Sequence, residues 1–181
     1  MSDDECGDTG IVKFYNDNCF IALIDALGHG KKAYRIALSA EDYLNANYRN
    51  DLTSLMMGLH NHLKETRGAV AAMCNLHIPS GQLRFVGIGN VTTRILGRNN
   101  IRLVSNDGVI GYIISKPKEQ SLQMASDDVL ILHSDGISEH FNFENFPSLF
   151  TMNARGIAIS IMDSYGKEND DKSCVVLKYT E

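Results

Sequence analysis

The sequence predicts an α+β fold in which antiparallel sheets predominate, and three observations carry that reading. Two regions repeat apolar residues at helical spacing, one early and one late in the chain. Between and around them lie many short apolar or alternating runs of strand character. Several of those runs are joined by a few residues of turn chemistry, as antiparallel neighbours are.

In chain order, Gly10 to Tyr15 and Cys19 to Asp25 read as two strands. Asn16-Asp17-Asn18 joins them as a hairpin, since Asn and Asp tolerate the backbone a tight turn needs. Lys31 to Asn47 follows as a helix, with Ala33, Ile36, Ala37, Ala40 and Leu44 forming its apolar stripe. A second helix covers Leu52 to Lys64, with Leu52, Leu55, Met56, Leu59 and Leu63 on one face. Met56 and Met57 read as core filler. His60 and His62 fall on different faces of that helix and read as surface residues.

After Arg67-Gly68 the pattern turns to strands: Ala69 to Ile78, Gln82 to Ile88, Val91 to Leu96 and Ile101 to Ser105. Pro79-Ser-Gly81 makes a hairpin of the first two, and Gly97 to Asn100 supplies another turn. Gln120 to Ala125 and Asp128 to Ser134 read as a further hairpin, turning at Ser126-Asp127. Ala154 to Tyr165 reads as a helix and Ser173 to Tyr179 as a closing strand.

The chemistry-bearing feature is where the acids fall. Ile21 to Gly30 is an apolar run ending in Asp25, followed by two glycines around His29. A carboxylate at the end of a buried strand is costly unless something positive meets it. The alternative is an Asp that only caps the next helix. The same event recurs in Val129 to Gly136, an apolar run ending in Asp135 and a glycine. Asn169-Asp170-Asp171 precedes the last strand and Cys6-Gly7-Asp8 precedes the first. Four carboxylate sites at strand ends exceed what capping needs. Brought together, they offer the oxygen-rich shell that Mg²⁺ or Mn²⁺ favours.

Asp25-Ala-Leu-Gly-His-Gly30, Ser134-Asp-Gly-Ile137 and Asp170-Asp-Lys-Ser173 resemble the core motifs of the PPM metal-dependent serine/threonine phosphatases. The bacterial SpoIIE-like branch is the nearer match, and within it the small stand-alone phosphatases of the stressosome pathway. Cys6-Gly-Asp8, Arg67-Gly-Ala69, Val86 to Val91 and Gly108 to Tyr112 support the likeness, in the expected order across nearly the whole chain. The resemblance implies a PPM αββα sandwich, two stacked sheets flanked by helices, with residues 1–181 as one phosphatase domain. It implies a protein serine/threonine phosphatase with two divalent ions, Mn²⁺ or Mg²⁺. Its implied partners are phosphorylated STAS-domain stressosome proteins. A SpoIIE-like phosphatase of an anti-sigma-factor antagonist is the neighbouring option.

By the same resemblance, Asp25 bridges both ions and the backbone carbonyl of Ala26, where the family usually has Gly, completes one site. Asp135 and Asp170 bind one ion, and Asp8 serves the other directly or through water. Asp171 and Gly136 stand behind them, with Asp170 preferred over Asp171 as ligand. Two ions about 3.5–4 Å apart lower the pKa of a shared water, and the resulting hydroxide attacks the phosphoester in line. Larger relatives carry a His where Leu27 stands; His29 is nearby as a general acid, or is a loop histidine without a catalytic role. Those relatives also grip phosphate with an upstream Arg, and nothing basic precedes Lys13 here, which leaves Arg67 for that task. His133 reads as a core histidine, and Gly87, Gly89 and Asn90 as a strand bend.

Composition narrows the field. Of 181 residues, 44% are hydrophobic and 22% charged, as in ordinary globular proteins. A net charge of −5 without any basic block argues against a nucleic-acid partner. The acidic start shows no secretory signal, and no apolar run reaches bilayer-spanning length. Cys6, Cys19, Cys74 and Cys174 are scattered with no C-x-x-C pair, as expected of reduced thiols in the cytoplasm. Two other readings remain open at this level. One is a catalytically silent module that binds phosphoproteins; the other is a hydrolase of small phosphate esters.

Overall fold

Residues 18 to 26 are apolar almost throughout because both faces of the strand they form are covered. In the computed structural model, which describes residues 5–98, 100–138, 151–168 and 170–180, that strand is β2 (Asn18–Ala26). It pairs on one side with β1 (Asp8–Tyr15) across a hairpin in which Asn16 takes φ 47°. On its other side lies β3 (Ala69–His77), antiparallel and equally buried. β4 (Gln82–Ile88) follows across the Pro79–Gly81 turn, and β9 (Gln120–Gln123) closes the sheet in the order β1-β2-β3-β4-β9.

A second sheet runs in the order β11-β10-β5-β6, from Cys174–Lys178, Val129–His133, Thr92–Leu96 and Ile101–Leu103. A two-stranded ribbon, β7 (Gly108–Val109) with β8 (Ile113–Ile114), spans the stretch from Gly108 to Ile114. It was not foreseen as strand, because two-residue strands leave no periodicity to read.

Strand alternation sorts β2 into two cores. Phe20, Ala22 and Ile24 face α1 (Gly30–Asn47) and α2 (Leu52–His62). Cys19, Ile21 and Leu23 face Leu130, Leu132, Val175 and Leu177 of the second sheet. The far face of that sheet, with Val129 and Ile131, is covered by Ile157 and Ile161 of α3 (Ala154–Tyr165). The layers are therefore helix, sheet, sheet, helix, the αββα arrangement expected. Asp51 starts α2 by accepting from the Ser54 amide at 2.9 Å, and Asn153 starts α3 the same way at 2.8 Å.

One expected pairing is wrong. Gln120–Gln123 and Val129–His133 are not a hairpin, although the chain does turn between them with Asp127 at φ 71°. β9 pairs with β4 in the first sheet, whereas β10 lies between β5 and β11 in the second. The turn carries the chain across the sandwich instead of back along one sheet. Asp128 braces this corner by accepting from the Ala125 amide at 2.8 Å.

Met56 is fully buried but Met57 is 41% exposed, so only the first is core. Leu63 is buried just beyond the end of α2, as its C-cap. His62 is exposed and stacks on Tyr43, while His60 is half-buried and accepts from the Gly111 amide at 3.1 Å. His133 is fully buried, its Nδ1 2.9 Å from the Ser134 carbonyl. All four cysteines are free. No described helix is long and apolar enough to cross a membrane. Met1 to Asp4, Asn99 of the Gly97–Asn100 turn and Asn169 lie outside the described residues.

Candidate metal centre

The two strand pairs that carry the acids end on the same side of the sandwich. Asp8 opens β1 and Asp25 nearly closes β2, and the register makes them direct cross-strand partners. Like charges placed directly opposite destabilise a sheet. In the second sheet His133 of β10 pairs with Cys174 of β11, so Asp135 and the Asp170-Asp171 pair emerge side by side beyond that last rung. The Ser134 amide continues the ladder to the Ser173 carbonyl at 3.1 Å.

Hydrogen bonds tie the two groups of acids across the sheets. The Ser173 hydroxyl donates to Asp8 Oδ2 at 2.8 Å, and the Ser173 amide donates to Ser134 Oγ at 3.0 Å. The Gly7 amide donates to Asp171 Oδ2 at 2.7 Å. Asn90 Nδ2, just past β4, donates to Asp135 Oδ2 at 3.0 Å. The Ala26 amide donates to the Gly7 carbonyl at 3.0 Å, and the Leu27 amide to the Gly68 carbonyl at 3.0 Å. These bonds fix the loop after Asp25 against both neighbouring segments.

Two glycines are required for this closeness. A Cβ on Gly136 would sit 1.9 Å from the Asp171 carbonyl oxygen, so only Gly lets the Asp135 loop lie against the Asp171 loop. Gly28 takes φ +104°, and a Cβ there would meet Arg67 Nη1 at 2.8 Å. Arg67 therefore lies along the loop that follows Asp25. His29 is exposed at the start of α1, and its side chain does not cap the helix.

The acids strain one another. Burial, then the charges of Asp8, Asp135, Asp170 and Asp171, push the Asp25 carboxyl from 3.8 up to about 7. Burial raises Asp8 as well, aided by Asp171 and Asp135 and opposed by hydrogen bonds from Ser134 and Ser173. Among the described residues no group of three His, Cys, Asp or Glu side chains is already drawn into a metal-ligating arrangement. The donor set is nonetheless all oxygen and strongly negative, with Asp135 and Asp170 exposed. That chemistry fits hard divalent cations, whose charge would relieve the repulsion.

The structure thus brings Asp8, Asp25, Asp135, Asp170 and Asp171 into electrostatic reach of one another, with Ala26, Gly136 and Arg67 beside them. His29 lies on the same loop but is exposed. The sequence reading missed three participants: Asn90, Ser134 and Ser173. The serines sit inside quoted motifs and were visible there. Asn90 was visible only as part of a bend, which Gly89 makes at φ +87°.

Comparison with known proteins agrees with this layout. The model of the family described as Stage II sporulation protein E (SpoIIE) matches residues 15–179. The phosphoserine phosphatase RsbX of Bacillus subtilis (strain 168) is 24% identical over 136 residues, covering 74% of this chain and 68% of RsbX. A chain solved in work on the bacterial stressosome as a modular system adapted to control secondary messenger signaling superposes with a TM-score of 0.88. It is 28% identical, with 94% of this chain and 90% of that one covered. RsbX crystallised in complex with magnesium gives a TM-score of 0.82 at 19% identity, covering 97% and 88%. The αββα fold is that of the PPM class of phosphatases. Within that class, the chain belongs to the SpoIIE family.

Proposed function

We propose that this chain is a metal-dependent protein serine/threonine phosphatase that removes phosphate from STAS-domain stressosome proteins and so resets stress signalling. The observation that carries the reading is the face-to-face pair Asp8 and Asp25, with the Asp25 carboxyl pushed up to about 7 by burial and then by the acids converging on it. Such a pair is costly in a fold that has no use for a cation there. Kinship with RsbX, named a phosphoserine phosphatase, supports the substrate, and the stressosome chain supports the setting. RsbX crystallised with magnesium supports divalent ions, Mg²⁺ or Mn²⁺, two in number by the family pattern.

In this reading Asp25, the Ala26 carbonyl and Asp8 would hold one ion, and Asp25 with Asp135 and Asp170 would hold the other. The family pattern favours Asp170 as the ligand, with Asp171, whose Oδ2 accepts from the Gly7 amide at 2.7 Å, as its support. When bound, the cations supply Lewis acidity, activating water and offsetting charge on the phosphoryl oxygens. Asn90 holds Asp135 by one oxygen and leaves the other for the ion. Ser173 does the same for Asp8. Arg67, laid along the Gly28 loop, binds the phosphoryl group from the side. His29, exposed on the loop after Asp25, would give a proton to the departing seryl oxygen. Residues 1–181 act as one phosphatase domain in the cytoplasm, where the four free thiols stay reduced.

The test is phosphate release from a phosphorylated STAS-domain stressosome protein, with p-nitrophenyl phosphate as competitor. Efficient release at low phosphoprotein concentration, little affected by the small ester, is expected. A preference for the small ester would make the chain a small-molecule hydrolase. Tight binding without release would make it a silent binding module.

A further inference from the structure

Beside the carboxylate face, a cleft of about 460 Å³ opens between β1 and α1, lined by Asp8, Thr9, Tyr34, Leu38 and Glu41 among others. Tyr34, Leu38 and Glu41 follow one another at spacings of four and three and so share one face of α1. The sheet-facing stripe of α1 is a different set, Ala33, Ile36, Ala37, Ala40 and Leu44. Tyr34 and Leu38 are left 36% and 41% exposed. Glu41 is not loose at the surface, because its Oε2 accepts from the Thr9 hydroxyl at 2.8 Å. That bond sets the direction of the carboxylate and leaves its other oxygen for a further donor.

The charge of the lining is one-sided. Asp8 and Glu41 are acids, and among the described residues no Lys, Arg or His lines the cleft. Among the described residues no cation pairs with Glu41, and Lys31 at the start of α1 is turned to Glu5 at 3.7 Å. Asp8 belongs both to the cleft and to the carboxylate face. The cleft therefore adjoins the face that a phosphoserine would reach, within the span of residues flanking it.

We propose that the cleft reads the charge of the substrate beside its phosphoserine: it takes a Lys or Arg side chain of the phosphorylated protein. The aliphatic stem packs on Tyr34 and Leu38 and the cationic head meets Glu41. An acidic neighbour meets Glu41 and is rejected by like charge, so the cleft discriminates by repulsion as well as attraction. This inference rests on the phosphatase reading and deepens it by naming the class of segment that is recognised.

The test uses phosphoserine peptides in which one position, from four before to four after the phosphoserine, is Lys, Ala or Glu. At one position the ratio of kcat/KM for the Lys peptide over the Glu peptide is expected to reach about tenfold in the wild type. In Glu41→Gln that ratio falls to about twofold, in Glu41→Lys it inverts, and raising the salt shrinks it in the wild type. Anisotropy of the same peptides, fluorescently labelled, gives a second readout that needs no turnover. A ratio near one at every position, or a Lys preference that survives in Glu41→Lys, overturns the inference. Peptides bound with the expected charge preference but never hydrolysed would sustain the cleft and overturn the phosphatase reading instead.

Discussion

Raising the pH of the metal-free protein should destabilise it, and Asp25 sets the size of the effect. Its carboxyl is pushed from 3.8 to about 7 in the folded chain by burial and by the surrounding acids. The folded state therefore holds a proton that the unfolded chain has released, so stability present below about pH 4 is lost as pH rises through about 7. At roughly 1.4 kcal/mol per pKa unit, the full displacement corresponds to at most about 4 kcal/mol. Asp25 is only partly buried, and solvent screening reduces this to ~1–2 kcal/mol. For a chain of this size that is a fall in Tm of about 2–8 °C. Asp8, raised in the same direction, adds to the slope. Thermal melts in EDTA at intervals from pH 5 to pH 8, for the wild type and Asp25→Asn, read it directly. The wild type should lose stability across that window, and Asp25→Asn should lose much less. Added Mg²⁺ should recover most of the loss at pH 8, because cations bind the ionised acids. A metal-free wild type whose Tm is flat or rises from pH 5 to pH 8, or an Asp25→Asn variant with the same slope, would refute the reasoning.

Gly136→Ala should cost about 2–3 kcal/mol, because its Cβ would overlap the Asp171 carbonyl and part the two loops; urea unfolding of the metal-free protein should show a lower midpoint at unchanged m. Asn90→Ala removes the donor that holds Asp135 and should weaken Mg²⁺ binding about tenfold by calorimetry, with little change in metal-free Tm. Arg67→Ala should raise KM for a phosphoserine substrate about tenfold, the loss of a charge-assisted contact to phosphate, while far-ultraviolet circular dichroism stays the same.

The parts of the fold that were legible in the sequence are those whose periodicity is local. The stripe Ala33, Ile36, Ala37, Ala40 and Leu44 buries as expected, and Ala154–Tyr165 is the helix expected. The apolar run of β2 correctly signalled a buried strand. What failed was partner choice for β9 and β10: alternation shows that a segment is a strand, but not to which sheet it belongs. The turn at Ser126-Asp127 looks the same whether it joins neighbours or crosses between layers. The acids of the centre were legible because charge at the end of a buried run is locally anomalous. Their supports were not, since Asn90 meets Asp135 only through the stacking of two sheets, 45 residues apart in sequence. The Gly7 amide that engages Asp171 likewise comes from the far end of the sequence, and no local pattern relates the two.

The most direct test of the central claim is the initial rate of phosphate release from a phosphoserine protein, titrated with Mg²⁺ and with Mn²⁺ against an EDTA control. Wild type and Asp25→Asn should be run side by side, with the folded state of each confirmed by its melt. The account predicts saturable, metal-dependent release in the wild type and a loss of at least about a hundredfold in Asp25→Asn. Release that persists in EDTA, or that survives in the folded Asp25→Asn variant, would contradict the assignment of the acidic strand ends as the metal centre.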